Sequence, residues 1–280
     1  MKVAVIGAGT MGSGIAQACA VAGHDVMLFD MSEEARSRGM ETIKSSLTRI
    51  VKKEKISEDD KATALSKITL IGDPDQFKSA DVIIEAVYEN LEVKRELWEK
   101  VDKVAKEDAL LASNTSSLSI TELASFTNRP EKFCGMHFFN PVPVLPLVEV
   151  VRGLSTSEET IQKAKSFVEG IGKTPIVCED KPGFIVNRLL VPYINDAVHA
   201  LVEGVASAED IDKAMKLGAN MPLGPLALAD LVGLDVALAA GESIYNEFQD
   251  PKFRVAPLLR QMVRAGKLGR KTGEGFYKYE

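Results

Sequence analysis

The 280-residue chain is poor in the residues that build staples and metal sites, with only three cysteines and three histidines. Cys19, Cys134 and Cys178 are odd in number and too far apart for metal-ligand spacing. No disulfide framework or cysteine-held metal is indicated, and the three read as core thiols of a reducing compartment. No apolar run approaches the roughly 18 residues needed to cross a bilayer. Met1 is followed at once by Lys2-Val3-Ala4-Val5-Ile6, which leaves no room for a cleavable leader. A soluble, cytoplasmic protein with no membrane partner is the expectation. A basic block is also missing, and the formal net charge is -6, so nucleic acid is not an expected partner and any polyanionic ligand must be met by a local cationic patch. Repeats and low-complexity tracts are absent. What the chain has is length, enough to bury roughly three quarters of its unfolded surface without staples.

Short apolar segments alternate with helical patterns up to about residue 178. Strands are expected at 2–6, 25–29, 68–71, 82–86, 109–113, 133–138, 147–151 and 175–178. This rhythm predicts an α/β fold, a Rossmann-like doubly wound and mainly parallel sheet. The later strands have short connections, so the far edge is expected to be antiparallel. A charged insertion at about 32–66 reads as a helical hairpin projecting from the sheet, its first helix striped by Ile43, Leu47 and Ile50. After Lys181-Pro182-Gly183 strand patterns vanish. Helices are expected at 183–203, where Pro192 should introduce a kink, and at 208–217, 225–230, 232–247 and 255–265. The domains are thus 1–181, nucleotide-binding, and 182–280, all-helical. The second has more apolar residues than one sheet-facing surface can use, which predicts a homodimer through it.

Gly7-Ala8-Gly9-Thr10-Met11-Gly12 follows the first strand and opens a helix, with Gly14 as a further small residue against the sheet. Gly7 permits the turn, Gly9 lets backbone approach a pyrophosphate and Gly12 packs helix on strand. The second strand ends in Asp30, at the distance expected of an acid that binds a ribose diol. Its carboxylate would repel a 2′-phosphate, and Met31-Ser32 offer no cation, so NAD is favoured over NADP.

His137 stands in Gly135-Met136-His137-Phe138-Phe139-Asn140-Pro141, and Glu149 follows in the apolar run Leu145–Val151. A histidine at a strand end with a carboxylate from the next strand fits proton transfer. On spacing alone His137 is equally a satisfied core residue, and Glu149 equally an edge residue facing solvent. Ser116 fits either a polar site or a cap for the helix near Ser119. Asn187 fits a cleft or a buried helix position. Ser46, Arg49 and Lys53 share one helical stripe, with Lys52 and Lys55 nearby, which fits an anion site or a plain solvated face.

These segments, with Glu85-Ala86-Val87-Tyr88-Glu89-Asn90, Ala112-Ser113-Asn114-Thr115-Ser116-Ser117, Lys181-Pro182-Gly183-Phe184-Ile185-Val186-Asn187-Arg188 and the terminal Leu268–Tyr277, together resemble the L-3-hydroxyacyl-CoA dehydrogenase family, particularly its short bacterial members acting on 3-hydroxybutyryl-CoA. The likeness spans essentially the whole chain. It implies His137 as base, Glu149 as its partner, and Ser116 and Asn187 as polar groups holding substrate oxygens. Glu89, Lys94 and Asn114 match positions around the nicotinamide and its ribose, and Ser46 and Lys53 match coenzyme-A contacts. The implied activity is NAD-dependent interconversion of (S)-3-hydroxyacyl-CoA and 3-oxoacyl-CoA, with an acyl-CoA as the small-molecule partner. Alternatives are a dehydrogenase of a free 3-hydroxy acid or sugar acid, and a non-catalytic NAD-binding protein.

Overall fold

A computed structural model describes residues 1–279. The chain divides into two compact units, Met1–Asp180 and Lys181–Glu280.

The first unit is a sheet of eight strands: β1 (Lys2–Ile6), β2 (Asp25–Phe29), β3 (Ile68–Ile71), β4 (Val82–Glu85), β5 (Leu110–Ser113), β6 (Phe133–Phe138), β7 (Leu147–Arg152) and β8 (Thr174–Glu179), in the order β3-β2-β1-β4-β5-β6-β7-β8. The central strands β1, β4, β5 and β6 are buried almost throughout, which explains why they read as unbroken apolar runs. β1 to β6 run parallel, β7 is antiparallel to β6, and β8 is parallel to β7. The expected reversal at the far edge is therefore present. It arises because only an eight-residue loop joins β6 to β7, too short for the crossover a parallel pair needs.

Helix α1 (Thr10–Val21) follows β1 and is buried along much of its length. The insertion forms α2 (Glu33–Lys52) and α3 (Glu58–Ser66), each opened by a serine cap: Ser32 accepts from the Ala35 N–H, and Ser57 forms a capping box with Asp60. The hairpin does not project freely. Ile43 and Leu47 are fully buried in the same core as Ile15, Ala16 and Cys19 of α1, joined by Ala64 of α3. Two such aliphatic side chains contribute about 1.5–3 kcal/mol each. Their stripe thus fastens the hairpin to α1 and leaves its charged face outward. Three further helices complete the unit: α4 (Leu91–Val104), α5 (Ile120–Ala124) and α6 (Glu158–Gly170). Cys19 and Cys134 are core thiols, pushed up to about 12 by burial. Cys178 differs from expectation: it is only half-buried, because β8 is an edge strand with little cover.

The second unit consists of α7 (Val186–Val202), α8 (Ala208–Gly218), α9 (Pro225–Val232), α10 (Leu234–Phe248) and α11 (Pro257–Arg264). Helix α7 continues as one element through Pro192. Ile194, Ala229, Leu234, Ala237, Val255 and Leu259 form its main core. Asp230, almost wholly buried, accepts from the Phe276 and Tyr277 N–H groups and the Tyr279 hydroxyl, each at 2.9 Å. The residues that follow Gly269–Gly273 are thus fastened to α9 by Asp230.

Candidate active site

All the polar candidates of the first unit except those on α2 lie where the parallel strands end. Register places Ile6 of β1 beside Phe29 of β2 and Glu85 of β4, Glu85 beside Ser113 of β5, and Ser113 beside Gly135 of β6, so the carboxyl ends of these strands form one edge. The strand order reverses direction of growth between β1 and β4, the position where open α/β sheets take nucleotides.

The glycine loop fits a dinucleotide on geometric grounds. Gly7 has φ +102°, and a Cβ there would lie 2.5 Å from the Ala86 carbonyl oxygen; one at Gly12 would lie 1.7 Å from the Gly7 oxygen. Both closures need glycine. A Cβ at Gly9, by contrast, would meet nothing within 4 Å, so this residue faces open space at the start of α1, whose first turn has no side-chain cap. Uncapped N–H groups at an open helix start are a phosphate cradle. Gly14 has another role than the sequence indicated. A Cβ there would lie 2.9 Å from the Val142 Cβ, so it admits the β6–β7 loop, not the sheet.

Asp30 is locked to this cradle. One carboxylate oxygen accepts from the Ala8 N–H at 3.0 Å and the other from the Ser32 N–H at 3.0 Å. A carboxylate has lone pairs beyond these two bonds, enough for a ribose diol. A cation does approach, which Met31-Ser32 did not foretell: Arg36 donates through Nη1 to the Asp30 carbonyl oxygen at 2.5 Å. That places the guanidinium on the backbone, while the acid itself is held by the loop.

His137 and Glu149 are register partners on β6 and β7. Opposed residues of an antiparallel pair present their side chains on the same face, and the ring Nδ1 lies 2.7 Å from Glu149 Oε2. His137 is 6 % exposed and Glu149 is fully buried. A carboxylate accepts, so the contact assigns the ring proton to Nδ1. Phe139 packs on the imidazole with ring centroids 4.5 Å apart. The loop that follows contains a cis Asn140–Pro141 bond, and Lys173 donates to its Val142 and Leu145 carbonyl oxygens. Burial there holds the Lys173 ammonium below the usual lysine range.

Ser116 is not the helix cap. Ser119 does that work, accepting from the Glu122 N–H and donating to Asp180. Ser116 instead donates its N–H to Glu89 Oε1 at 2.7 Å. Glu89 Oε2 accepts from the Thr115 hydroxyl at 2.8 Å and lies 3.4 Å from Lys94 Nζ. Lys94 itself is 1 % exposed, with its ammonium 2.6 Å from Glu85 Oε1. Asn114 spends its side-chain oxygen on the Phe138 N–H at 2.9 Å, tying the end of β5 to the residue after His137. Ser46, Arg49 and Lys53 lie on α2 or at its end, partly or fully exposed, with Arg49 3.4 Å from the Ser45 hydroxyl. Asn187 lies in the second unit, half-buried in the first turn of α7.

Glu85 was missed as a site residue. A carboxylate closing the otherwise apolar strand Val82-Ile83-Ile84-Glu85 was the same signal that singled out Glu149. Among the described residues no cluster of histidine, cysteine and carboxylates is arranged to hold a metal, and no helix is long and apolar enough to cross a membrane.

Comparison with known proteins accords with this geometry. The family model for the NAD binding domain of 3-hydroxyacyl-CoA dehydrogenase matches residues 2–181, and that for the C-terminal domain of the same enzymes matches residues 183–279. A 3-hydroxybutyryl-CoA dehydrogenase of Clostridioides difficile is 50 % identical over 279 residues, 100 % of this chain and 99 % of the relative. The human mitochondrial hydroxyacyl-coenzyme A dehydrogenase is 46 % identical, over 99 % of this chain and 91 % of its own. The crystal structure of (S)-3-hydroxybutyryl-CoA dehydrogenase from Ralstonia eutropha superposes with a TM-score of 0.97 at 52 % identity, covering 100 % of this chain and 99 % of that one. Since both halves match one family and the likeness runs end to end, the chain belongs to the 3-hydroxyacyl-CoA dehydrogenase family.

Proposed function

We infer that the protein is an NAD-dependent dehydrogenase interconverting (S)-3-hydroxyacyl-CoA and 3-oxoacyl-CoA, with short acyl chains such as 3-hydroxybutyryl as its substrates. The observation that carries this is the buried His137–Glu149 pair at 2.7 Å, on the same sheet edge as the glycine loop and Asp30. When bound, NAD supplies a hydride acceptor at its nicotinamide C4.

The residues do the rest. His137 Nε2 takes the proton from the substrate C3 hydroxyl as the alcohol is oxidised, and returns it in the opposite direction. Glu149 fixes the tautomer through Nδ1 and stabilises the imidazolium. Ser116 hydrogen-bonds the reacting oxygen, where negative charge develops, and Asn187 is the second unit's candidate for substrate binding. Glu89 steadies Ser116 by holding its N–H, and Lys94, closed off from solvent, acts on the site through Glu89. Asn114 keeps β6 in place beside the base. Ser46, Arg49 and Lys53 meet the phosphates of coenzyme A, a local positive stripe on an acidic protein.

A spectrophotometric assay of NADH tests this, with acetoacetyl-CoA beside free acetoacetate. Rapid NADH oxidation with the thioester, and kcat/KM at least a hundredfold lower with the free acid, is the expected result. Equal rates on the two would identify a free-acid dehydrogenase, and no oxidation of NADH with either would identify a non-catalytic binder.

The second unit is assigned the substrate and dimerisation roles. Leu189, Val202, Val205, Leu217, Leu231 and Val236 are exposed apolar residues on it, surface for a second copy to cover. Light scattering is expected to give twice the 30.3 kDa chain mass, and a stable mass of one chain at micromolar concentration would exclude the dimer. Three free thiols suit the cytoplasm.

A further inference from the structure

We propose that Glu85 sets the charge presented to the cofactor, so that the site holds NAD⁺ more tightly relative to NADH than an uncharged residue at this position would allow. This rests on the NAD-dependent reading above.

Glu85 is the last residue of β4 and fully buried. Its neighbours in register are Ile6, which leads into the glycine loop, and Ser113, which leads into the Asn114–Ser116 segment. Each of its oxygens is engaged. Oε1 accepts from the Val87 N–H at 2.8 Å and from Lys94 Nζ at 2.6 Å, and Oε2 accepts from the Ser113 hydroxyl at 2.6 Å. Lys94 Nζ lies farther, 3.4 Å, from Glu89 Oε2. One ammonium is therefore shared by two carboxylates, and the group carries a formal charge of −1.

The distribution of that charge matters. Glu85 takes the short contact with Lys94 and has no exposure, while the Glu89 side chain is 37 % exposed at the cofactor edge. The ammonium is largely matched by Glu85, so the surplus negative charge faces outward at Glu89. Packing does not require this arrangement. A buried carboxylate is costly to desolvate, and a neutral amide would fill the same space and still accept from Val87 and Lys94. The two forms of the cofactor differ by one positive charge, carried on the nicotinamide ring of NAD⁺ and lost in NADH. A fixed negative charge at this edge discriminates between them. In a partly desolvated site a unit charge several ångströms away shifts an equilibrium by about tenfold or more.

Glu85→Gln removes the charge and keeps two of the hydrogen bonds, since the amide oxygen accepts from Val87 and Lys94; the third reverses, the amide nitrogen donating to the Ser113 oxygen, whose own O–H must turn to another acceptor. Its group has a formal charge of zero. Dissociation constants for NAD⁺ and NADH are measured by calorimetry and by NADH fluorescence, together with thermal melting. The ratio Kd(NAD⁺)/Kd(NADH) is expected to rise about tenfold over wild type. The double variant Glu85→Gln with Lys94→Met has a formal charge of −1 again, from Glu89, and its ratio is expected within about twofold of wild type. Equal change of both constants in Glu85→Gln, or no change in either, overturns the proposal, as does a double variant whose ratio departs tenfold from wild type. If Glu85→Gln does not fold, Glu89→Gln, which keeps the buried Glu85–Lys94 pair and also brings the group to a formal charge of zero, is measured in its place: the ratio is expected to rise about tenfold, and no rise overturns the proposal. A wild-type protein that binds neither nucleotide fails the NAD reading itself, a result distinct from all of these.

Discussion

Replacing His137 by alanine is expected to lower kcat by about a hundred- to ten-thousandfold while NADH binding stays within about twofold of wild type. The range is that of general acid–base assistance. Binding is spared because the cofactor cradle is built on β1 and β2, whereas His137 belongs to β6. Alanine also leaves Glu149 buried without its imidazole partner, which costs about 1–3 kcal/mol of stability. His137→Gln separates the two effects. Its amide donates to Glu149 and has no basic nitrogen, so it should melt closer to wild type and be as inactive as alanine. Stopped-flow NADH oxidation with acetoacetyl-CoA, beside NADH fluorescence titration, reads both. Turnover near wild type in either variant removes His137 as the base. Loss of NADH binding in both would mean that the residue supports the fold of the cradle instead.

The strands were legible because each is an apolar run bounded by turn signals, and because register forces inward-facing residues to be apolar. Even the reversal at β7 followed from the length of one loop. The antiparallel register then makes the spacing of His137 and Glu149 meaningful, because residues equidistant from the turn must face each other. Tertiary partners were less legible. The stripe of Ile43 and Leu47 foretold a buried face, and only the structure shows that α1 receives it. Gly14 resembled one more sheet-facing small residue until Val142 proved to be its neighbour.

Charged residues were hardest to place, for a physical reason. A lysine in sequence is read as solvent-exposed, yet Lys94 is enclosed because Glu85, nine positions earlier, waits at the end of β4. The pairing follows from the turn of chain between strand and helix, and neither residue alone discloses it. Asn114 and Ser116 are similar. The resemblance pointed to both, but their contacts with Phe138 and Glu89 depend on how three strand ends align. The site is therefore a network of strand ends, and its members influence each other through backbone N–H groups as much as through side chains.

That dependence gives the second large effect, at Glu149. Glu149→Gln is close in shape, so the strand pair β6–β7 should persist, and the change falls on the contact with Nδ1. If the amide oxygen faces the ring, the tautomer is kept but the imidazolium loses a charged acceptor, about 1.5–3 kcal/mol. In rate that is about 10- to 150-fold in kcat. If the amide nitrogen faces the ring, Nδ1 must accept, the ring proton moves to Nε2, and the base is lost to the level of His137→Gln. Either way kcat falls at least about tenfold, with NADH affinity unchanged. A merely structural Glu149 would lower the melting temperature and both kinetic constants without regard to His137. The double variant distinguishes these cases. When two residues act as one unit their losses do not add, so His137→Gln with Glu149→Gln should be as slow as His137→Gln alone. A double variant slower by the product of the two single losses would show that Glu149 acts independently of the histidine, and the dyad would have to be abandoned.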